Sequence, residues 1–176
     1  PDSGRVLALA SNPSFNQNAF TSGMSFEQWD ALISNPFRPM ENKAIQGQYP
    51  LGSTFKPVVA TAALAEGLVD PETTFSCNGE YQLGNQAYRC WRKRGHGQIA
   101  LYQAVVQSCD IYFYQLGQKL GVDLMSAYAQ RFRLGSRTLI RLNNEAGGLV
   151  PTAQWKLRRF GVPWQKGEDL VTAIGQ

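Results

Sequence analysis

Gly52-Ser53-Thr54-Phe55-Lys56 places a hydroxyl and an amine three residues apart. Residues at i and i+3 share a helical face, so the Lys56 amine can approach the Ser53 hydroxyl. A serine is a weak nucleophile until a base takes its proton. A lysine whose pKa is lowered by burial can be that base. The following residues Phe55, Val58, Val59, Ala62, Leu64 and Ala65 predict a helix over 53–66 that is apolar nearly all round, and such helices are buried. Its N-terminus offers free N–H groups and a positive dipole end to a developing oxyanion. Pro57 is tolerated only near the first turn. The alternative makes Ser53 an N-cap and Lys56 a solvated first-turn residue. Against it, this is the only Ser-x-x-Lys in the chain, and a solvated lysine is out of place on a buried helix.

Ser108-Cys109-Asp110 lies between two predicted helices. From one tight turn, Ser108 can relay a proton and Asp110 can orient Lys56 or bind substrate. The spacing alone is weak: Ser14-Phe15-Asn16 and Ser76-Cys77-Asn78 share it, and either Ser108 or Asp110 can simply cap the helix from Ile111. Arg89, Arg92, Lys93 and Arg94 surround Trp91 in a run that fits a solvated loop better than a nucleic-acid grip. Lys156, Arg158, Arg159 and Lys166 form a sparser basic stretch read the same way. His96, the single histidine, sits between two glycines and reads as structural. Three cysteines are too few for a four-thiolate zinc site, and no metal site is expected. A Cys77–Cys90 disulfide beside a buried Cys109 thiol is one option in an oxidising compartment.

Around these groups, Arg5–Ala10 follows a Pro-Asp-Ser-Gly turn and reads as a strand leaving a hairpin. Residues 11–50 are rich in Asn, Pro, Ser and Gln, with a helix near Ser25–Ile33 whose capping box would be Ser25 and Gln28. Gly67 is placed to end the buried helix. Residues 72–97 read as loop and short hairpin. Leu101, Ala104, Val105 and Ser108 define one helical face, and Phe113, Leu116 and Leu120 continue the period up to a stop at Gly121. Met125–Phe132 predicts another helix ending near Gly135. Thr138–Leu142 reads as short strand or extended loop, and Thr152 caps a short helix through Arg158.

The chain has 176 residues, 43% hydrophobic and 17% charged, which suits one domain with a real core and argues against disorder. Seventeen Lys and Arg against 13 Asp and Glu give +4, which selects no partner class. The longest apolar run, Val58–Ala65, is broken by Thr61 and is far below a bilayer span. No signal peptide is visible. The chain opens Pro-Asp-Ser-Gly without Met and closes on Ala173-Ile174-Gly175-Gln176, which reads as a piece of a longer protein.

Tyr49–Pro57 resembles the active-site motif of the penicillin-binding proteins. Gly4–Phe15 looks like the opening of their transpeptidase domain, and Trp-Arg-Lys-Arg-Gly-His-Gly over residues 91–97 is similar to the elongation-specific class B group. Gln107–Gln115 and Pro151–Trp164 extend the likeness over nearly the whole chain. The resemblance implies an α/β (α+β) fold of the serine β-lactamase/transpeptidase type. Residues 1–176 would be the N-terminal portion of the domain, mainly its helical part with N-terminal strands of an incomplete sheet. It implies a D,D-transpeptidase anchored in the bacterial inner membrane and facing the periplasm, with the anchor outside this segment. Ser53 matches the family's acylated nucleophile, Lys56 its general base, and Ser108 and Asp110 its second motif. The implied partners are peptidoglycan stem peptides ending in D-Ala-D-Ala, β-lactams, and a membrane glycosyltransferase; no nucleic acid and no cofactor are implied. The likeness also supports the Cys77–Cys90 pairing. A sensor, carboxypeptidase or β-lactamase shares the same Ser-x-x-Lys chemistry. Leu51 stands where the family usually has Pro, Asp110 where many members have Asn, and Arg141 where Asp is usual. The third motif, Lys-Thr-Gly or Lys-Ser-Gly on a strand edge, is absent, so weak acylation by the isolated segment is expected.

Overall fold

A computed structural model describes residues 3–176. The chain divides into two compact units, one running to Tyr49 and including Arg137–Gly148, the other made of Pro50–Ser136 and Leu149–Gln176.

The first unit carries three short helices, α1 (Asn18–Ser22), α2 (Phe26–Ile33) and α3 (Lys43–Gln46). α2 begins at the expected capping box. The Gln28 N–H donates to Ser25 Oγ and the Ser25 N–H donates back to Gln28 Oε1, satisfying two donors that a helix start leaves free. Arg5–Ala10 is not a strand: it has no paired neighbour among the described residues, and Leu7 is 96% exposed. β-propensity cannot supply the missing ladder. Thr138–Leu142 is loop, with Leu139 and Arg141 at φ 64° and 60°, outside the extended region a strand requires. Glu145 holds it by accepting from the Thr138 backbone and hydroxyl.

The second unit opens with a 3₁₀ turn, Gly52–Phe55, that runs into α4 (Lys56–Ala65). Pro57 sits in the first turn of α4, where its missing N–H costs nothing. Beyond the C-cap Glu66, Gly67 adopts φ 64°. The Gly67 and Leu68 N–H groups close onto Leu64 and Ala63 carbonyls, the Schellman arrangement. Residues 72–97 hold more strand than expected. β1 (Thr74–Cys77) pairs antiparallel with β4 (Gly97–Ala100), and β2 (Glu80–Leu83) forms a hairpin with β3 (Gln86–Arg89).

α5 (Leu101–Val106) is followed by α6 (Asp110–Arg131). α6 is two helical segments joined at Gly121, which has φ 70° and ψ 161°, so the expected stop is a kink within one element. α7 (Ala153–Phe160) starts where Thr152 Oγ1 accepts from the Trp155 N–H. α8 (Lys166–Ala173), which the apolar pattern did not reveal, has a capping box formed by Gln165 and Glu168. Lys166-Gly167-Glu168 is thus the first turn of a helix.

α6 is the centre of this core. Phe113, Leu116, Met125 and Ala129 are fully covered, facing Val59, Ala62 and Ala63 of α4 and Leu170 and Ala173 of α8. Each buried Leu, Val, Phe or Met stabilises by about 1.5–3 kcal/mol. At Gly117 a Cβ would come within 2.5 Å of the Asp169 carbonyl oxygen, so α6 and α8 approach at van der Waals contact only because that position is glycine. The element order is mixed helix and strand with a partial sheet. No helix among the described residues is long and apolar enough to cross a membrane.

Candidate active site

Ser53 lies within the 3₁₀ turn, and Lys56 opens α4 one turn on. Lys56 is 1% exposed, so it is neither solvated nor free. Its ammonium has three hydrogens and three partners. Nζ donates to Ser108 Oγ at 2.9 Å, Ser108 O at 2.9 Å and Asp110 Oδ1 at 2.7 Å. The Phe113 ring lies 5.4 Å from Nζ and closes the apolar side. Ser108 Oγ in turn donates to Ser53 Oγ at 2.7 Å. The spacing of three therefore brings Lys56 to Ser53 through Ser108 rather than directly.

The turn that carries Ser108 is held from several sides. Ser108 has φ 53°, a left-handed backbone that a non-glycine residue adopts only when surroundings demand it. Its N–H donates to Val105 O, and the Cys109 N–H donates to Ala104 O. Cys109, not Ser108 or Asp110, occupies the N-cap of α6. Asp110 is the first residue of that helix, where the macrodipole favours a carboxylate. Its second oxygen accepts from the Trp91 backbone N–H at 3.0 Å. The Trp91 indole N–H donates to the Gln107 and Ser108 carbonyls, both at 3.1 Å. Trp91 thus braces the catalytic-looking turn, a role the surrounding basic run concealed.

Ser53, Lys56, Ser108 and Asp110 therefore converge. A buried lysine–carboxylate pair is weak evidence for stability, because desolvation offsets attraction. Its value here is placement: the amine is fixed on Ser108 Oγ, and Ser108 Oγ on the Ser53 hydroxyl in the turn that leads into α4. If Lys56 is neutral, the same contacts run in reverse, with Ser53 donating to Ser108 and Ser108 to Lys56. That is a two-step route for the Ser53 proton.

The nucleophile turn has a second support. The Gly52 N–H donates to Gly175 O at 3.0 Å. Gly175, at φ 76°, lies so close that a Cβ there would sit 2.3 Å from Gly52 O.

Beside the Ser108 turn lies a group of donors that the sequence spacing did not reveal. Cys77, Cys90 and Cys109 are buried free thiols. With His96, their ligand atoms all lie within 4.8 Å of one another. His96 Nδ1 is 3.4 Å from Cys77 Sγ and 3.6 Å from Cys90 Sγ. Burial, with Arg92 nearby, lowers the His96 pKa and favours the neutral ring that can ligate a cation. Burial pushes the Cys109 thiol up to about 12, so in the absence of a cation it is protonated. Three sulfurs and one imidazole are a donor set that fits zinc. The four residues come from the end of β1, the two ends of the β3–β4 loop and the N-cap of α6, so only the fold brings them together.

The penicillin-binding protein transpeptidase domain matches the chain over residues 1–176. The peptidoglycan D,D-transpeptidase MrdA of Acinetobacter baumannii is 40% identical over the whole chain, which spans about a quarter (26%) of that protein. The crystal structure of Pseudomonas aeruginosa PBP2 in complex with WCK 5153 superposes with a TM-score of 0.91 at 40% identity, covering 99% of this chain and 39% of that one. PBP2 of Helicobacter pylori, in its complex with MreC, gives 0.89 at 34% identity over 95% of this chain and 32% of that one. With a hydroxyl–hydroxyl–amine relay built from two motifs and likeness over its full length, this chain belongs to the penicillin-binding protein transpeptidase family.

Proposed function

We propose that the protein containing this chain is a serine D,D-transpeptidase that cross-links peptidoglycan stem peptides. The observation that carries this reading is the continuous hydrogen-bonded path Ser53–Ser108–Lys56 with Lys56 fixed by Asp110. In the reaction, Ser53 Oγ attacks the penultimate D-Ala carbonyl of a stem peptide as its proton passes by Ser108 to Lys56. The terminal D-Ala leaves as an amine, taking a proton back along the same path. An amine from a second stem peptide then displaces Ser53 from the acyl-enzyme, restoring the hydroxyl. Asp110 keeps the Lys56 side chain on Ser108 through both halves. A β-lactam carbonyl follows the first half only, leaving an acylated Ser53. The complex of a relative with MreC favours work within a larger assembly. The same reading places the protein in the inner membrane, facing the periplasm, with a glycosyltransferase supplying the strands to be joined; a relative's structure in a peptidoglycan synthase complex that coordinates polymerization and crosslinking supports that pairing.

The test is the fate of the acyl-enzyme. The intact protein, given a D-Ala-D-Ala stem peptide and an acceptor amine, is expected to form the amide and release one D-Ala per bond. Hydrolysis alone, with no acceptor product at saturating amine, identifies a carboxypeptidase. Rapid turnover of a penicillin adduct identifies a β-lactamase, and a persistent adduct without transfer identifies a sensor.

A further inference from the structure

Arg92, Lys93 and Arg94 are exposed, and among the described residues none of them forms an ion pair, whereas their neighbour Arg89 stands 3.9 Å from Glu80. The run is nevertheless not a slack surface loop. The Cys90 N–H donates to Gly79 O at 2.9 Å, and the Gly95 N–H closes a turn on Arg92 O at 2.8 Å. At Gly79 a Cβ would lie 2.1 Å from Lys93 O, and at Gly95 it would lie 2.0 Å from Cys77 O. The main chain that carries the three cations is therefore packed directly on the main chain of residues 77–79. Three like charges on a fixed turn repel one another, and no carboxylate of the fold offsets that repulsion. Such a turn is built to take its counter-charge from outside.

Trp91 sets where the turn stands. Its backbone N–H donates to Asp110 Oδ2 at 3.0 Å and its indole N–H to Ser108 O at 3.1 Å, while Ser108 Oγ donates to Ser53 Oγ at 2.7 Å. The Arg92 Cα is one peptide step, about 3.8 Å, from that of Trp91. The cations thus begin one residue beyond a side chain bonded to the proton relay. We propose that Arg92, Lys93 and Arg94 form a subsite for an acidic peptide, receiving carboxylates that lie upstream of the D-Ala-D-Ala bond in the stem peptide attacked by Ser53.

An extended peptide advances about 3.3–3.6 Å per residue, so carboxylates two or three residues from the attacked carbonyl come within reach of the turn. The two guanidinium groups can each hold a carboxylate through a bidentate fork, and the Lys93 ammonium adds a point charge. These contacts form in the bound substrate and persist in the transition state, so they act chiefly on KM. Being exposed, they weaken with salt, as the screening length falls from about 10 Å at 0.1 M to about 3 Å at 1 M.

The subsite rests on the transpeptidase reading above, and its test separates the two. The intact protein is given two peptides ending in D-Ala-D-Ala, one with free carboxylates upstream and one with those carboxylates amidated. The amidated peptide is expected to show a KM at least tenfold higher. In the combined variant Arg92→Gln, Lys93→Gln, Arg94→Gln, all at exposed positions, that ratio should fall to near one. It should also shrink in the wild type as salt rises from about 0.05 to about 0.5 M. Arg158→Gln with Arg159→Gln, which removes exposed charge from the last turn of α7, should keep the ratio. Equal KM values for the two peptides, or a ratio that survives the combined variant, overturns the subsite. A ratio lost equally in the α7 variant also overturns it, because the preference then comes from net charge. Wild type that is acylated by neither peptide sinks the relay reading instead. The subsite is then decided by fluorescence anisotropy of a labelled, non-cleavable acidic peptide on Ser53→Ala protein: at least tenfold weaker binding by the amidated form upholds it, and equal binding overturns it. An oligonucleotide of the same charge that binds as tightly as the acidic peptide shows a general polyanion patch and overturns the peptide assignment.

Discussion

Gly175→Ala is expected to slow acylation of Ser53 from a distance. Gly175 has φ 76°, and a Cβ there would meet Gly52 O at 2.3 Å, Gly52 N at 2.6 Å and Gly52 C at 2.9 Å. All three are backbone atoms of the residue before Ser53, so no side-chain rotation relieves the clash. Real Cβ contacts stay beyond 3.0 Å, so the Ser53 turn must retreat by about 0.7 Å or Gly175 must shift by as much. The Gly52 N–H to Gly175 O bond, at 3.0 Å, stretches with it. A misplacement of about 1 Å costs a reaction as much as 10²-fold, so a loss of roughly 10- to 100-fold in the second-order acylation rate is expected. The left-handed backbone adds about 1–2 kcal/mol of strain for alanine. Gly67→Ala is the control: φ is 64° there too, but nothing lies within 4 Å of a new Cβ. Both variants should lose about 1–2 kcal/mol of stability, and Gly175→Ala alone should lose acylation. Stopped-flow labelling with a fluorescent penicillin reads the rate. Equal rates for the two variants would show that the Gly52–Gly175 contact does not position Ser53.

Removing the Asp110 side chain leaves Lys56 buried without its charge partner and the Trp91 N–H without its acceptor. Asp110→Ala should therefore cost about 3–5 kcal/mol by chemical denaturation, and Asp110→Asn, which keeps one acceptor, clearly less; similar losses would refute the pairing. Ser108→Ala should cut acylation by about 10²–10⁴-fold while binding of a non-reactive stem peptide is kept, and an unchanged rate would mean the relay bypasses Ser108. Burial raises the Asp169 pKa above its ordinary 3.8, against the pull of the Trp164 indole N–H. A raised carboxyl pKa in the folded state favours folding below the ordinary value, and that contribution is lost as pH rises through the folded value. The difference in unfolding free energy between wild type and Asp169→Asn should thus shift against wild type as pH climbs from below 3.8 to neutrality; a flat difference contradicts the assignment.

What could be read from residues alone follows the range of the interactions. Local signals carried through: the Ser25–Gln28 capping box, the Thr152 cap, Gly67 past the end of α4 and the break at Gly121 each depend on neighbours within four residues. The face shared by Ser53 and Lys56 was visible for the same reason. Long-range pairing was not: β1 meets β4 across the whole hairpin, and four-residue strands carry too little periodicity to announce it. α8 has a polar first turn, Lys166-Gly167-Glu168-Asp169, that hides its apolar residues Leu170 and Ala173. Arg5–Ala10 had strand-like residues but no neighbour among those described. Trp91 was masked by its cationic neighbours, and His96 by its flanking glycines, of which Gly95 lets the loop close against Cys77. The resemblance to a known family supplied what periodicity lacks, the pairing of Ser108 and Asp110 with Lys56 across more than fifty positions.

The central claim is that Ser53 is the acylated nucleophile. Intact protein treated with a penicillin, digested and sequenced by mass spectrometry is expected to carry the adduct on the peptide containing Ser53, and Ser53→Ala should carry none. An adduct elsewhere in the chain, or equal labelling of the two proteins, would contradict it.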